Sequence, residues 1–415
     1  MNRYLERFQK HKKIIENFSY LSIFQVLNLL IPLVVFPYLI RVLGGEKYGL
    51  IIYAQAVIGY FVILINFGFN ITATKEISIY KKNKKKLNKI ISNVMIIKGI
   101  LFLISLTLIT LLIFLIPSFR EEKTLFYLTM WMCLYEFIFP IYYFQGIEEM
   151  KYITVITLIS RSIFLILIFL LVNDNSDYLL VPIINGMGAI IAGIISQVIV
   201  IKKGIKYSRQ PFYALKFYFV KSYVMALAYA SNTLKSNLNI VLVKALFSYN
   251  AVAYFDLALK VSRVGTSFLE LISVSVFPKM SREKNVFFLK KIIYLSLVLS
   301  VIYVLFVQLS APLIISLIGG EQMLDSISLL RVIILFVPFQ IIGGLLGRNS
   351  LIVNGYDKDV LYSMAISSLT YGLVVLVLYL SFDNLSLELL GAVFVFSFAF
   401  DTLYRYMKCK SYKIL

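Results

Sequence analysis

The segment AYFDLALKVSRVGTSFLELIS places Asp256, Lys260, Arg263, Ser267 and Glu270 at spacings of 4, 3, 4 and 3 within an otherwise apolar run. Side chains three and four apart on an α-helix share a face, so the run reads as one helix with a charged stripe. Arg263 lies about 11 residues from the nearer end, roughly 16 Å at 1.5 Å per residue, too deep in a bilayer to snorkel easily. An ionisable side chain at that depth is costly and faces a bundle interior or a water-filled cavity. Lys260 and Arg263 are therefore expected to make such a cavity cationic. Asp256 and Glu270 have two readings: sites for a proton or sodium ion, which would couple the protein to an ion gradient, or ion-pair partners of Lys260 and Arg263.

A second segment, YASNTLKSNLNIV, repeats the pattern with Asn232, Lys235, Ser236 and Asn239 on one face. Gln25 and Asn28 form a polar face in the first apolar run, and Gln55, Gly59, Asn66 and Asn70 in the second. Lys235, Lys260 and Arg263, with Asn28, Gln55, Asn66, Asn232 and Asn239, are thus candidates to bind a polar solute. For the Asn and Gln residues alone, interhelical hydrogen bonds explain the pattern equally well. Two further cations, Lys98 and Arg348, lie some 10 to 12 Å from the inner membrane face and are secondary cavity candidates. Glu136 and Arg161 fall at matching depth on consecutive spans, and a structural ion pair between them is expected.

The elements that carry these residues follow from composition. Of 415 residues, 60% are hydrophobic and only 15% charged, and the mean hydropathy is +0.86, far outside the range of a water-soluble globular chain. Apolar runs of about 20 residues suit transmembrane helices, whereas a barrel would show short alternating segments. Twelve spans are read near 18–40, 48–70, 90–116, 124–144, 152–172, 179–201, 217–244, 252–277, 292–315, 327–352, 360–380 and 386–407. The fold class expected is an all-α polytopic membrane protein, about 12 transmembrane helices in two six-helix lobes around a central cavity. The expected organisation is a cytoplasmic tail (1–17), an N-terminal lobe (18–201), a basic cytoplasmic linker (202–216), a C-terminal lobe (217–407) and a cytoplasmic tail (408–415).

The net charge of +20 is a topology signal and does not point to nucleic acid. Lysine and arginine crowd the N-terminal tail, the second loop (KKNKKK, Lys81 to Lys86), the sixth and eighth loops and the C-terminal tail, while the odd-numbered loops are nearly bare. The positive-inside rule then puts both termini in the cytoplasm. The charged start, MNRYLERFQKHKKIIENF, lacks the apolar core and cleavage site of a removable signal peptide.

Several chemistries are disfavoured. Two cysteines and a single histidine leave no metal cluster and no disulfide framework, so neither a metal nor another cofactor is expected. There is no GxxxxGK[ST] loop and no loop long enough for a soluble catalytic domain. The work of the protein is expected inside the membrane.

The stretch NLLIPLVVFPYLIRVLGGEKYGLIIYAQAVIGYFVILINFGFNITATKEIS resembles the N-terminal signature of Wzx-type polysaccharide repeat-unit (O-antigen or capsule) flippases. These belong to the multidrug/oligosaccharidyl-lipid/polysaccharide exporter superfamily. Further similar stretches follow in family order: PIYYFQGIEEMKYITVITLISR, AVAYFDLALKVSR, VFPKMSRE, and APLIISLIGGEQMLDSISLLRVIILFVPFQIIGGLLGRNSLIVNGYDK. The chain departs from the family at Val252-Ala253, where a glycine is usual, and at Tyr143, where tryptophan is common. The resemblance implies that the first, second, seventh and eighth spans line the cavity. It also implies an undecaprenyl-diphosphate-linked oligosaccharide as substrate, moved across the bacterial inner membrane, with Lys235, Lys260 and Arg263 neutralising the diphosphate. Membrane lipid, a polysaccharide polymerase and a chain-length regulator are the partners implied. The alternatives are a multidrug or cation exporter of the same superfamily, for which a cationic cavity is unsuitable, and a membrane-embedded polymerase or ligase, which would need a large outward loop.

Overall fold

The computed structural model describes the backbone of residues 2–381 and 385–415, and the side chains in that range other than 2–15, 17, 18, 21, 224, 228, 229 and 231–236. Every regular element among the described residues is helical, and nine segments are long and apolar enough to cross a membrane. The first of these, Ser22–Tyr80, is 59 residues long, about 89 Å of helix at 1.5 Å per residue against a hydrocarbon core of roughly 30 Å, so it holds two of the expected spans. It comprises most of α1 (Asn2–Asn66) and all of α2 (Phe69–Tyr80). The helix runs through Pro32 and Pro37 and breaks at Gly44, with φ 75° and ψ 166°, a conformation that is essentially reserved for glycine.

The third span is α3 (Lys84–Leu115); after a short α4 (Pro117–Glu121), the fourth is divided into α5 (Lys123–Thr129), α6 (Trp131–Ile138) and α7 (Ile141–Gly146). Then come α8 (Met150–Leu171), α9 (Leu180–Lys202), α10 (Phe212–Leu246), α11 (Tyr249–Glu283) and α12 (Val286–Gly319). The tenth span is α13 (Ser326–Ile333), α14 (Phe336–Leu345) and a π-helical turn (Leu346–Leu351); α15 (Asp357–Ser381) and α16 (Leu387–Ser411) complete the chain. The fold is that of an all-α polytopic membrane protein. A helix occupies each of the twelve expected spans. Two of these helices, α10 and α11, lie outside the nine segments; α11 carries the charged stripe, and α10 includes residues whose side chains are not described. Large apolar side chains such as Leu309, 84% exposed, stand outward, as suits a surface solvated by lipid.

The chain divides into two compact units, Met1–Leu43 with Ala54–Thr233, and Gly44–Tyr53 with Leu234–Leu415. These limits differ from the expected lobe boundaries. The division falls inside α10 and not in the basic linker. Residues 202–216 are no free linker either: the Lys206 N–H donates to Asn88 Oδ1 at 3.1 Å and the Ser208 N–H to Ser92 Oγ at 3.0 Å, both acceptors lying on α3. In the same stretch, burial pushes the Tyr207 phenol up to about 12, which keeps it a donor to Gln197. The tails are structured as well. Helix α1 already runs from Asn2, and at the other end Cys409, Tyr412, Ile414 and Leu415 pack with Leu346, Leu351 and Val360. The Tyr412 ring stacks on Tyr356 with centroids 3.9 Å apart.

Residues 44–53 join the second unit because their glycines admit the start of α11. A Cβ on Gly49 would lie 1.8 Å from the Tyr249 carbonyl oxygen, and one on Gly45 would lie 2.5 Å from Asn250 Oδ1. Neither Tyr249 nor its carbonyl can retreat without unwinding the first turn of α11. Gly49→Ala is therefore expected to destabilise the protein by about 1–3 kcal/mol, the usual range for overpacking, read as a fall in the thermal unfolding midpoint of detergent-purified protein. Gly372→Ala on α15, where an added Cβ meets nothing within 4 Å among the described residues, should leave the midpoint unchanged or raise it, since alanine is the better helix former. Equal midpoints for the two variants would refute the close approach.

Candidate functional site

In the second unit the charged stripe of α11 meets residues 44–53. The Tyr48 hydroxyl donates to Asp256 Oδ2 at 2.7 Å, Lys260 Nζ donates to the Tyr48 oxygen at 2.8 Å, and Lys260 forms an ion pair with Asp256 one turn away. Lys260, expected as an open cation, is thus neutralised, and Asp256 takes the ion-pair reading. Arg263 differs from both. It is exposed and has no side-chain hydrogen bond or ion pair among the described residues. Glu270, also exposed, accepts from Gln340 Nε2 at 2.9 Å and does not pair with Arg263. Asn239 is fully buried, while the side chains of Asn232 and Lys235 lie outside the described residues. Arg348 stands exposed on the π-helical turn, and its neighbour Asn349 ties that turn to α11 by donating to the Ser273 carbonyl at 3.0 Å.

In the first unit the expected Glu136–Arg161 pair is not made. Glu136 on α6 pairs with Lys98 on α3 at 2.6 Å, and Lys98 donates to the Glu136 carbonyl as well, at 3.0 Å. Asn66 donates to Glu136 Oε1 at 3.0 Å and accepts from the Gly68 N–H at 3.2 Å. Lys98, fully buried, is therefore a structural cation and not a cavity residue. Asn66, also buried, has both ends of its amide engaged within the protein and is not a free contact for a solute. Glu136 and Arg161 border the same cavity, but position along the chain does not decide which side chains meet, since that depends on how each helix is turned about its own axis.

Arg161, half-buried on α8, instead faces a cavity of about 220 Å³ that Asn28, Trp131, Tyr135 and Asn185 also line. Its side chain has no partner among the described residues. Gln55 is half-buried on α1. Two participants gave no signal in the sequence. Tyr48 sits on α1 just after the break at Gly44, in a glycine-rich stretch that periodicity does not cover. Arg405, buried on α16, binds Asp401 at 2.9 Å, the Ser363 hydroxyl at 2.9 Å and the Gly343 carbonyl at 2.8 Å, a structural network. Among the described residues no group of three or more His, Cys, Asp or Glu side chains could hold a metal ion.

Residues 14–284 match the family described as "Polysaccharide biosynthesis protein". The chain belongs to this family. The match spans the N-terminal signature, α8 with Arg161 and the charged stripe of α11. Among relatives of this polysaccharide biosynthesis protein, one from Escherichia coli (strain K12), named "Putative O-antigen transporter", is 26% identical over 351 residues, 83% of this chain and 84% of that one. A protein of the same name from Shigella dysenteriae is 28% identical over 261 residues, 61% of this chain and 64% of that one. Two solved structures are similar throughout. The lipid II flippase MurJ in an inward closed conformation gives a TM-score of 0.72 at 16% identity, covering 95% of this chain and 87% of that one. An inward-facing multidrug resistance MATE family transporter of the MOP superfamily gives 0.71 at 16% identity, covering 92% and 95%. At such identity these likenesses establish the fold, which this polysaccharide biosynthesis protein shares with that superfamily.

Proposed function

We propose that the protein is a flippase that carries an undecaprenyl-diphosphate-linked oligosaccharide repeat unit from the cytoplasmic to the outer leaflet of the bacterial inner membrane by alternating access. It is a transporter and not an enzyme; both termini lie in the cytoplasm, and a polymerase and chain-length regulator use the delivered units. The observation that carries this reading is Arg263, an exposed arginine with no side-chain partner among the described residues, at a position that the sequence places deep in a membrane span of a polysaccharide biosynthesis protein. A cation left unpaired at that depth is expensive and needs an anionic partner from outside the protein; a diphosphate supplies one that guanidinium can grip through two hydrogen bonds. The names of the two curated relatives support the same reading. A carrier of cationic drugs, the rival suggested by the MATE fold, would gain nothing from such a group. Asp256 is held by Tyr48 and Lys260, so for coupling to a proton or sodium gradient we favour Glu270.

The test is complementation. Expressed in a strain that lacks its own repeat-unit flippase, the protein is expected to restore surface polysaccharide when the matching repeat unit is made. Repeat units that accumulate on the outer face in its absence would indicate a polymerase or ligase and defeat the proposal.

A further inference from the structure

We infer that the cavity beside Arg161 is a subsite for one acidic sugar residue of the transported oligosaccharide. This deepens the flippase reading and rests on it for the identity of the cargo. Charge is the first argument. Glu136 lines the cavity together with Arg161, but its charge is neutralised by Lys98 at 2.6 Å, and neither α8 nor α9 carries any acidic residue. The positive charge of Arg161 is therefore left facing the cavity, which suits a carboxylate that can accept two parallel hydrogen bonds.

Shape and lining are the second argument. The cavity holds about 220 Å³, below the roughly 300 Å³ at which pockets for drug-sized ligands begin, so it admits a single ring and not a chain of them. Its wall combines aromatic faces, Trp131 and Tyr135, with side-chain amides, Asn28 and Asn185. A pyranose ring has that same division into C–H faces and hydroxyl edges. A lipid tail would leave the Arg161 guanidinium unpaired.

Trp131 is also the single tryptophan of the chain, so its fluorescence reports this cavity alone. The experiment titrates the full-length detergent-purified protein with glucuronate, glucose and inorganic pyrophosphate. Glucuronate is expected to give a saturable change in emission, and glucose an affinity at least tenfold weaker. Arg161→Ala should abolish the response, while Arg161→Lys should keep it with affinity reduced up to tenfold. Because Arg161 has no partner to strand, Arg161→Ala should not lower the thermal unfolding midpoint; a lowered midpoint would mark a structural role and overturn the assignment. Equal affinity for glucose would overturn the acidic specificity. A saturable response to pyrophosphate and none to glucuronate would transfer the site to the lipid diphosphate and overturn the sugar assignment, as would no response to any probe. Fluorescence does not require translocation, so glucuronate binding together with failed complementation would sink the flippase reading and leave the subsite standing.

Discussion

Arg263→Ala is expected to bring surface polysaccharide down to the level of a flippase-deficient strain while the protein reaches the membrane in normal amount. Arg263 is exposed and makes no side-chain bond among the described residues, so its removal strands no partner and leaves the fold intact. What is lost is its contact with the cargo. A hydrogen bond to a charged group contributes about 1.5–3 kcal/mol, so losing the two that guanidinium offers a phosphate slows transport by well over tenfold. Arg263→Lys keeps the charge without the planar fork and should retain part of the activity. Lys260→Ala should fail in another way, with less protein in the membrane, because Asp256 would keep only the Tyr48 hydroxyl. Immunoblots of surface polysaccharide and of the membrane fraction separate the two outcomes. Normal export by Arg263→Ala would end the cationic mechanism even if the protein is a flippase.

Lys98→Ala should be the most destabilising of the charge substitutions. It leaves the largely buried Glu136 carboxylate with the Asn66 amide as its remaining hydrogen-bond donor, and breaking a buried pair from one side costs about 3–5 kcal/mol. Adding Glu136→Gln should recover much of that loss, because the neutral amide still accepts from Asn66 and no charge remains. The measurement is the unfolding midpoint of the purified single and double variants, with membrane abundance as a second readout. Recovery in the double variant is the decisive result; a double variant no better than Lys98→Ala would show that the pair is not the stabilising unit.

The sequence by itself determined the class, the positions of the apolar helical runs and the location of the charged stripe. All three depend on local properties: hydropathy summed over about 20 residues sets each crossing, and spacings of three and four set the face on which Asp256, Lys260, Arg263 and Glu270 lie. Loop lysines determined the topology proposed for the same reason, since they act within a few residues of each span. The pairing of charges was decided by tertiary structure. Position can be counted along the chain, but the rotation of α3, α6 and α8 about their axes cannot, and that rotation gives Glu136 to Lys98 and leaves Arg161 unpaired in the cavity that both Glu136 and Arg161 line. The partner of Asp256 and Lys260 was equally invisible, because Tyr48 lies more than 200 residues earlier. The residues 44–53 reach α11 only because Gly45 and Gly49 bring no side chains to the approach. Glycines in the sequence announced a turn; the backbone of Tyr249 against which they close is a fact of the folded unit.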